Sequence, residues 1–318
     1  MIAGGKIDTL DSIQLLLVIL VSVLVAHYIY VKWAMSAASR RLSEDVEAFA
    51  NPDGPDGDSV VLGNDHLYDE FYAKIYDQIV GGEGREEVEV NYALNWAKSY
   101  RPEEKTLKVL DVGCGTGGAV ERFRTASVGK VVGLDASTAM VAAARKKYPK
   151  GDYRVGEVEQ IGQFAAGEFN VATLFYFTYY YLRDPDMALK NLFNWLEPGS
   201  CLMIHLVNRE KFDPILEAAS PFVGFSLQKY SKKRVTRSKV SFDKFNYEAD
   251  FSLEGDRAEF HEEFAFKNGR TRKQTHVMRM PRMEQVVGIV ESAGFTYKQF
   301  IDLTPIGYEY QYLFCFVR

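Results

Sequence analysis

Cysteine is scarce: Cys114, Cys201 and Cys315 are the only three in 318 residues, and no two have C-x-x-C spacing. That excludes a disulfide-built scaffold, and no Cys/His grouping has the spacing of a zinc site. A reducing compartment fits such usage. A basic excess is missing too, since 38 Lys and Arg stand against 43 Asp and Glu, a formal charge of −5. Dedicated nucleic-acid binders are usually strongly basic, so nucleic acid is not an expected partner. Only one long apolar run occurs, which excludes a polytopic membrane protein. What is present, 47% hydrophobic and 25% charged residues, is the composition of a folded globular chain.

The one apolar run lies at the start. Ser12 to Val31 reads SIQLLLVILVSVLVAHYIYV, with no acid, Lys or Arg. Twenty helical residues span about 30 Å, the thickness of a bilayer core. Tyr28, Tyr30 and Trp33 gather at its end, where amphipathic rings favour the interface. Residues 1–41 therefore read as a segment with a transmembrane helix over about 12–33. Lys32, Arg40 and Arg41 follow it while only Lys6 precedes it, which puts the rest of the chain on the cytosolic side of a single-pass protein. The competing reading is a cleaved signal peptide, with Ala34 to Ala38 as the small-residue site. Residues 42–65, with NPDGPDGD at 51–58, read as an acidic flexible linker, and 66–318 as the folded body.

From Leu107 onward, short apolar runs alternate with helical stretches. LKVLDV, KVVGLDA, YRVGEV, FNVATLFY and SCLMIHLV are the runs, with helices over Ser137 to Lys147 and Pro185 to Leu196. Such runs joined by helices predict a doubly wound α/β fold with a mostly parallel sheet buried on both faces. Its ligands bind at the carboxyl ends of the strands. The first strand ends in Asp111-Val112-Gly113-Cys114-Gly115-Thr116-Gly117-Gly118 and the second in Asp135.

Gly113, Gly115 and Gly118 satisfy G-x-G-x-x-G, a weak dinucleotide pattern by itself. Asp111 separates the cofactors. A carboxylate at the mouth of the first strand repels a pyrophosphate but suits the ammonium group of a methionine moiety. Asp135 can accept from two ribose hydroxyls in either case. The string V-L-D-V-G-C-G-T-G-G at 109–118, followed by V-G-L-D-A-S-x-x-M at 132–140, resembles the class I S-adenosylmethionine-dependent methyltransferases. The similarity spans roughly residues 66 to 318.

That resemblance implies a seven-stranded sheet, S-adenosyl-L-methionine as cofactor and a methyl transferase activity. It implies cofactor contacts from Tyr72 and Tyr76 in the Y-A-K-I-Y-D segment, from Asp111, Gly113 and Gly115, and from Asp135, Ala136 and Met140. Glu157 and Val158 stand where an acidic residue usually meets adenine, and Phe175 closes the next strand. Glu157 is one methylene longer than the usual Asp, and Asn170 stands where Phe-Asp is usual.

The last third reads as a lid over about 210–282. Val240 to Leu253 alternates with period two and slips by two residues after Phe242, which suggests a bulge. Ala258 to Phe266 and Thr271 to Met280 flank Asn268-Gly269, a hairpin signal, so a three-stranded antiparallel meander is expected. Met283 to Ala293 reads as a helix, and Phe295 to Leu303 with Tyr310 to Val317 as a closing hairpin. The order of these pieces resembles the sugar-amine and glycine N-methyltransferase branch. Residues 228–282 hold fourteen Lys and Arg against eight Asp and Glu. Lys229, Lys232, Lys233, Arg234, Arg237 and Lys239 run without an acid, either as a solvated face or as a surface drawn to anionic lipid.

The cofactor's methyl group is already activated, so the chain's task is alignment and removal of the acceptor's proton. The resemblance offers His276 as a base beside the reaction, and Tyr181 follows the fourth strand where the acceptor approaches. Tyr176, Tyr179, Tyr180 and Tyr181 could line an apolar or cation-binding pocket. His205 reads as a core histidine and Cys114 as a small filler. No metal site is expected. The acceptor is expected to be a small molecule or a lipophilic one, methylated on N or O. A protein acceptor and a non-catalytic scaffold retaining the fold stay open.

Overall fold

The computed structural model describes residues 14–30, 60–62, 64–80, 82–104, 106–126, 129–215, 233–242 and 245–318. Helix α1, residues 14–30, leaves its Leu, Val and Ile side chains exposed. Among the described residues no helix is long and apolar enough to cross a membrane. That overturns the transmembrane helix over 12–33 and the single-pass location drawn from it. The outer turns of that span, residues 12–13 and 31–33, lie outside the described residues, as does the linker up to residue 59.

The linker's end is not all linker. Residues Val60–Leu62 form strand β1, and α2 (Glu70–Val80) and α3 (Gly82–Tyr100) follow. Then come β2 (Lys108–Val112), α4 (Gly118–Thr125), β3 (Lys130–Asp135), α5 (Thr138–Lys147), β4 (Asp152–Val155), β5 (Phe169–Leu174), α6 (Pro185–Trp195) and β6 (Leu196–Val207). Local chemistry sets the helix starts. Ser137 caps α5 by accepting from Met140 N at 3.0 Å, and Asp184 caps α6 by accepting from Met187 N at 3.0 Å, with Pro185 in the first turn.

After β6 the chain enters β7 (Arg237–Ser241), β8 (Phe245–Glu254), β9 (Arg257–Phe266) and β10 (Thr271–Arg279). It closes with α7 (Met283–Ser292), β11 (Thr296–Asp302) and β12 (Gln311–Val317). The main sheet has seven strands in the order β11-β12-β6-β5-β2-β3-β4. All its pairs are parallel except β6–β12 and β11–β12. The expected doubly wound sheet and closing hairpin are thus present. Every residue of β5 is buried, as a run with helices over both faces must be. Asn170 holds the entry to that strand, accepting from Lys108 N at 2.7 Å and donating to Thr106 O at 3.1 Å. The chain leaves β2 toward β3 and β4 on one side and later toward β5 and β6 on the other. The switch point therefore falls between β2 and β5.

The lid differs from the expected meander. It is a five-stranded sheet, β1-β10-β9-β8-β7, with β1 added parallel to β10. The slip after Phe242 marks a reversal rather than a bulge. Val240 pairs with Tyr247 across the antiparallel β7–β8 pair, and Phe242 N donates to Phe245 O at 2.9 Å. A phase slip arises equally from a bulge and a tight turn, and only the register separates them. Phe245, Tyr247, Ala249 and Phe251 face inward from β8, and Phe71 of α2 meets Phe264 of β9 edge to face at 5.4 Å.

The basic stretch is not a free patch. Arg234 donates to the carbonyls of Arg209 and Phe212 and lies 4.8 Å from the rings of Phe212 and Phe251. Arg237 pairs with Asp250 at 3.0 Å, and Lys239 pairs with Glu248. Lys229 and Lys232 lie outside the described residues. With those charges engaged and the anchor gone, the lipid-facing role expected of the lid has no support.

Candidate active site

A cavity of about 1010 Å³ opens at the carboxyl ends of β2, β3 and β5, roofed by the lid sheet and α2. The loop after β2 turns tightly. Gly113 N and Cys114 N both donate to Leu134 O, at 2.7 and 3.1 Å, and Gly113 and Gly115 hold φ of +68° and +53°. A Cβ at Gly113 would sit 2.5 Å from Thr178 Oγ1, so the site needs glycine for space as well as for backbone. Cys114 fills the space under Gly133, where a Cβ would come within 2.7 Å of its Sγ.

Two carboxylates face this loop. Asp111 is buried and accepts from Thr173 Oγ1 at 2.7 Å. Burial pushes its carboxyl up to about 8, with Glu86, Glu89 and Asp135 adding to the rise and the Thr173 bond opposing it. Asp135 accepts from Gly115 N and Ser137 N, both at 2.8 Å. Burial raises its carboxyl, and those two backbone bonds oppose the rise. One lone pair on each oxygen stays available to a ligand.

Tyr72, Tyr76, Ala136, Met140, Glu157, Val158 and Phe175 all line the same cavity. Thr116 Oγ1 donates to Asp77 Oδ1 at 2.5 Å and Lys147 pairs with the other oxygen at 2.8 Å, which ties the loop to α2 and α5. The Glu157 carboxylate is half exposed and lies 3.6 Å from Arg183 Nη1.

On the lid side, the Tyr181 hydroxyl and His276 Nδ1 stand 2.7 Å apart. Residues 95 positions apart are thereby brought together. His276 Nε2 lies 2.7 Å from Glu262 Oε2, which also accepts from Gln274 Nε2 at 2.6 Å, while Glu262 Oε1 accepts from Tyr247 at 2.7 Å. Burial pushes the Glu262 carboxyl up, but the His276 ring and these hydrogen bonds outweigh it, and the net shift is downward. Tyr68 lies 5.9 Å from the rings of both Tyr181 and His276. Tyr68, Tyr72, Tyr76 and Tyr181 form an aromatic wall, with Tyr68 5.7 Å from Tyr72 and Tyr72 6.0 Å from Tyr76.

The tyrosine cluster after β5 does not act together. Tyr176 and Tyr181 line the cavity, but Tyr179 and Tyr180 are buried in the core, and Tyr180 Oη accepts from Val207 N at 2.8 Å. The short helical turn over Thr178–Tyr181 points successive side chains in different directions, so its three adjacent tyrosines cannot share one wall. His205 is a core histidine as expected, fully buried between Tyr176 O at 2.5 Å and Gln311 Oε1 at 3.0 Å. Burial, then Arg85, lowers its pKa to about 4.

Sequence reasoning missed Tyr68, Thr173, Glu262 and Arg85. Glu262 had a visible signal, because Ala258, Phe260 and Phe264 share its inward face of β9 and a lone carboxylate there needs a partner. Arg85 had none among its neighbouring acids. It is buried on the cavity wall with its guanidinium 3.7 Å over the Tyr176 ring and its Nε 3.4 Å from Glu89. Its Nε and Nη1, and both Glu89 oxygens, lack a hydrogen-bond partner among the described residues. Tyr176 itself holds φ of +48°, a left-handed conformation that a bulky residue rarely adopts.

These features fit a ligand carrying a ribose, an ammonium group and a carboxylate: Asp135 for the first, Asp111 for the second, and the unpartnered guanidinium nitrogen for the third. Residues 109–199 match the family described as "Methyltransferase domain". Over those residues the chain carries a methyltransferase domain. A dTDP-4-amino-2,3,4,6-tetradeoxy-D-glucose N,N-dimethyltransferase of Saccharopolyspora spinosa is 35% identical over 143 residues, 43% of this chain and 55% of that protein. The chain thus spans about half the length of that curated relative. An S-adenosylmethionine-bound amino pentose methyltransferase from Micromonospora echinaspora has a TM-score of 0.53 at 20% identity, covering 73% of this chain and 91% of its own. A sugar N-methyltransferase from a Streptoalloteichus species has a TM-score of 0.54 at 21% identity, covering 84% and 97%. At those identities the two structures speak for the fold of the methyltransferase domain and its lid.

Proposed function

We propose that this protein transfers the methyl group of S-adenosylmethionine to an amino nitrogen of a small, sugar-type acceptor. The observation that carries the reading is one cavity holding the glycine loop and its two carboxylates on one wall and the tyrosines with His276 on the other. In this reading Gly113, Gly115, Asp135, Ala136 and Met140 seat the nucleoside, Glu157 and Val158 border the adenine, and Asp111 and Arg85 hold the methionine end. The lipophilic acceptor expected from a membrane anchor is withdrawn with the anchor.

The sulfonium supplies an already activated methyl group, so the chain's contribution is alignment, exclusion of water and removal of one proton. The tyrosine faces suit cations, and both a sulfonium and a protonated amine are cations. The amine must reach the methyl group with its lone pair free, and the Tyr181–His276 pair stands where its surplus proton can go. An amino deoxy sugar is favoured because the curated relative is named for one and because the cavity offers aromatic faces and hydroxyls together.

The test is calorimetric titration of the full chain with S-adenosylmethionine, S-adenosylhomocysteine and NADH, repeated on Asp111→Ala and Asp135→Ala. It is followed by a methyl-transfer assay on dTDP-linked 3-amino and 4-amino deoxy sugars and their hydroxyl counterparts. Micromolar binding of the first two ligands, lost in both variants, with transfer to an amino sugar, is the expected result. A folded protein that binds neither, or that methylates only hydroxyl acceptors, would overturn the reading.

A further inference from the structure

We infer that His205 and Gln311 are positioning residues for the cofactor's carboxylate: they hold Tyr176 in a left-handed turn, and the Tyr176 ring backs the Arg85 guanidinium. The inference rests on the S-adenosylmethionine reading above, in which Arg85 meets the methionine end, and assigns what aims Arg85.

Strand register starts the relay. β5 and β6 run parallel with Leu174 beside Ile204, so His205 emerges next to the carboxyl end of β5, where Tyr176 follows. His205 Nδ1 lies 2.5 Å from Tyr176 O, and Nε2 lies 3.0 Å from the side chain of Gln311, the first residue of β12. A carbonyl oxygen can only accept, so Nδ1 carries the hydrogen and donates it. Arg85, Glu89, Tyr176 and Gln311 line the cavity, and His205 stands fully buried behind them. It can act on a ligand only through its partners.

Tyr176 needs that hold. Its φ of +48° is a conformation bulky residues rarely adopt, and such strain persists only where surrounding contacts over-determine it. Among the described residues the other non-glycine with a left-handed φ is Tyr310, at +62°, immediately before Gln311. Both strained positions therefore adjoin this relay.

The turn places the Tyr176 ring beneath Arg85, whose guanidinium carbon stands 3.7 Å from the ring centroid. The His205 ring stacks 6.0 Å from the Tyr176 ring at 28°. Arg85 belongs to α3 and is buried, and its Nε and Nη1 lack a hydrogen-bond partner among the described residues. A guanidinium resting on an aromatic face keeps its in-plane N–H groups for a carboxylate. Glu89 competes for them. It stands one turn further along α3, 3.4 Å from Arg85 Nε, and both its oxygens lack a hydrogen-bond partner as well. With the ring removed from beneath it, Arg85 can turn its donors onto Glu89, and the ligand's carboxylate loses them.

The deciding experiment is calorimetric titration of the full chain with S-adenosylmethionine and with its decarboxylated form, which keeps the ammonium and sulfonium groups. The wild-type chain should bind the carboxylate-bearing form about tenfold more tightly or better, as loss of charge-assisted hydrogen bonds predicts. Arg85→Met, Tyr176→Gly and His205→Leu should each erase most of that preference. Affinity for the decarboxylated form should change by less than about threefold in all of them. His205→Asn, which keeps an N–H near the place of Nδ1, should restore part of the preference. Thermal melts identify any variant that fails to fold. If His205→Leu is one, Gln311→Met carries the same comparison from the other end of the relay. Equal weakening of both ligands by His205→Leu would make the residue merely structural and overturn the proposal. A His205→Leu protein with its preference intact would overturn it too, as would a wild-type chain indifferent to the carboxylate. A folded wild-type chain that binds neither ligand would instead sink the cofactor reading on which it rests.

Discussion

The Tyr181 hydroxyl meets His276 Nδ1 at 2.7 Å, and the neighbouring Tyr180 hydroxyl, one position away in sequence, instead accepts from Val207 N in the core. Two adjacent tyrosines thus serve opposite purposes. Tyr180→Phe should strand the buried Val207 N–H and cost about 1–3 kcal/mol of stability. Tyr181→Phe should change stability by less than about 1 kcal/mol and remove most of the methyl-transfer rate. Denaturant melts beside single-turnover assays separate the two.

Asp111→Asn should make the protein more stable while destroying its affinity for S-adenosylmethionine. The Asp111 carboxyl has a pKa near 8 in the folded chain, chiefly from burial, against an ordinary value of 3.8. A carboxyl raised on folding weakens the native state increasingly as pH rises from about 4 toward 8. The amide keeps the Thr173 hydrogen bond and avoids that cost. A gain on the order of 1–3 kcal/mol at pH 7.5, shrinking toward pH 4, is expected in denaturant melts. An equal gain at both pH values would point to some other cause.

The same shift makes cofactor binding pH-dependent. Only ionised Asp111 attracts an ammonium group, so binding near pH 7 must displace a proton from it. Affinity should rise about tenfold per pH unit below pH 8 and level off above it. Calorimetry in buffers of different ionisation enthalpy should register close to one proton released at pH 6.5, and none in Asp111→Ala.

Gly113→Ala should fail for two additive reasons. Its φ of +68° is unfavourable for a side chain, and the new Cβ would meet Thr178 at 2.5 Å. A loss of about 1–3 kcal/mol is expected. Combining it with Thr178→Gly should recover the clash but leave the backbone cost of about 1 kcal/mol.

Acid should unfold the chain partly through His205. Its pKa of about 4 lies below the ordinary 6.5, mainly because of burial, so the stability it carries above pH 6.5 is lost as pH falls from there toward 4. His205→Gln should flatten that part of the stability–pH curve, even if it lowers the plateau.

How much of this was written in the chain follows element by element. The parallel sheet, the glycine turn and the closing hairpin were legible because each depends on local periodicity or on a backbone conformation that glycine alone tolerates. Asp111 and Asp135 were legible because they end strands whose neighbours fix where they point. The apolar run at 12–31 misled, since composition alone gave hydrophobicity, whereas among the described residues no helix is both long and apolar enough to cross a membrane. The slip after Phe242 gave a change of phase and not its cause. Beyond local order, the sequence is silent on which distant groups meet. Tyr181, Glu262 and His276 come from the turn after β5 and two lid strands. Only packing of the lid over the sheet brings them within hydrogen-bond reach, because a bond of 2.7 Å between residues 95 positions apart is fixed by tertiary contacts and by nothing nearer in the chain.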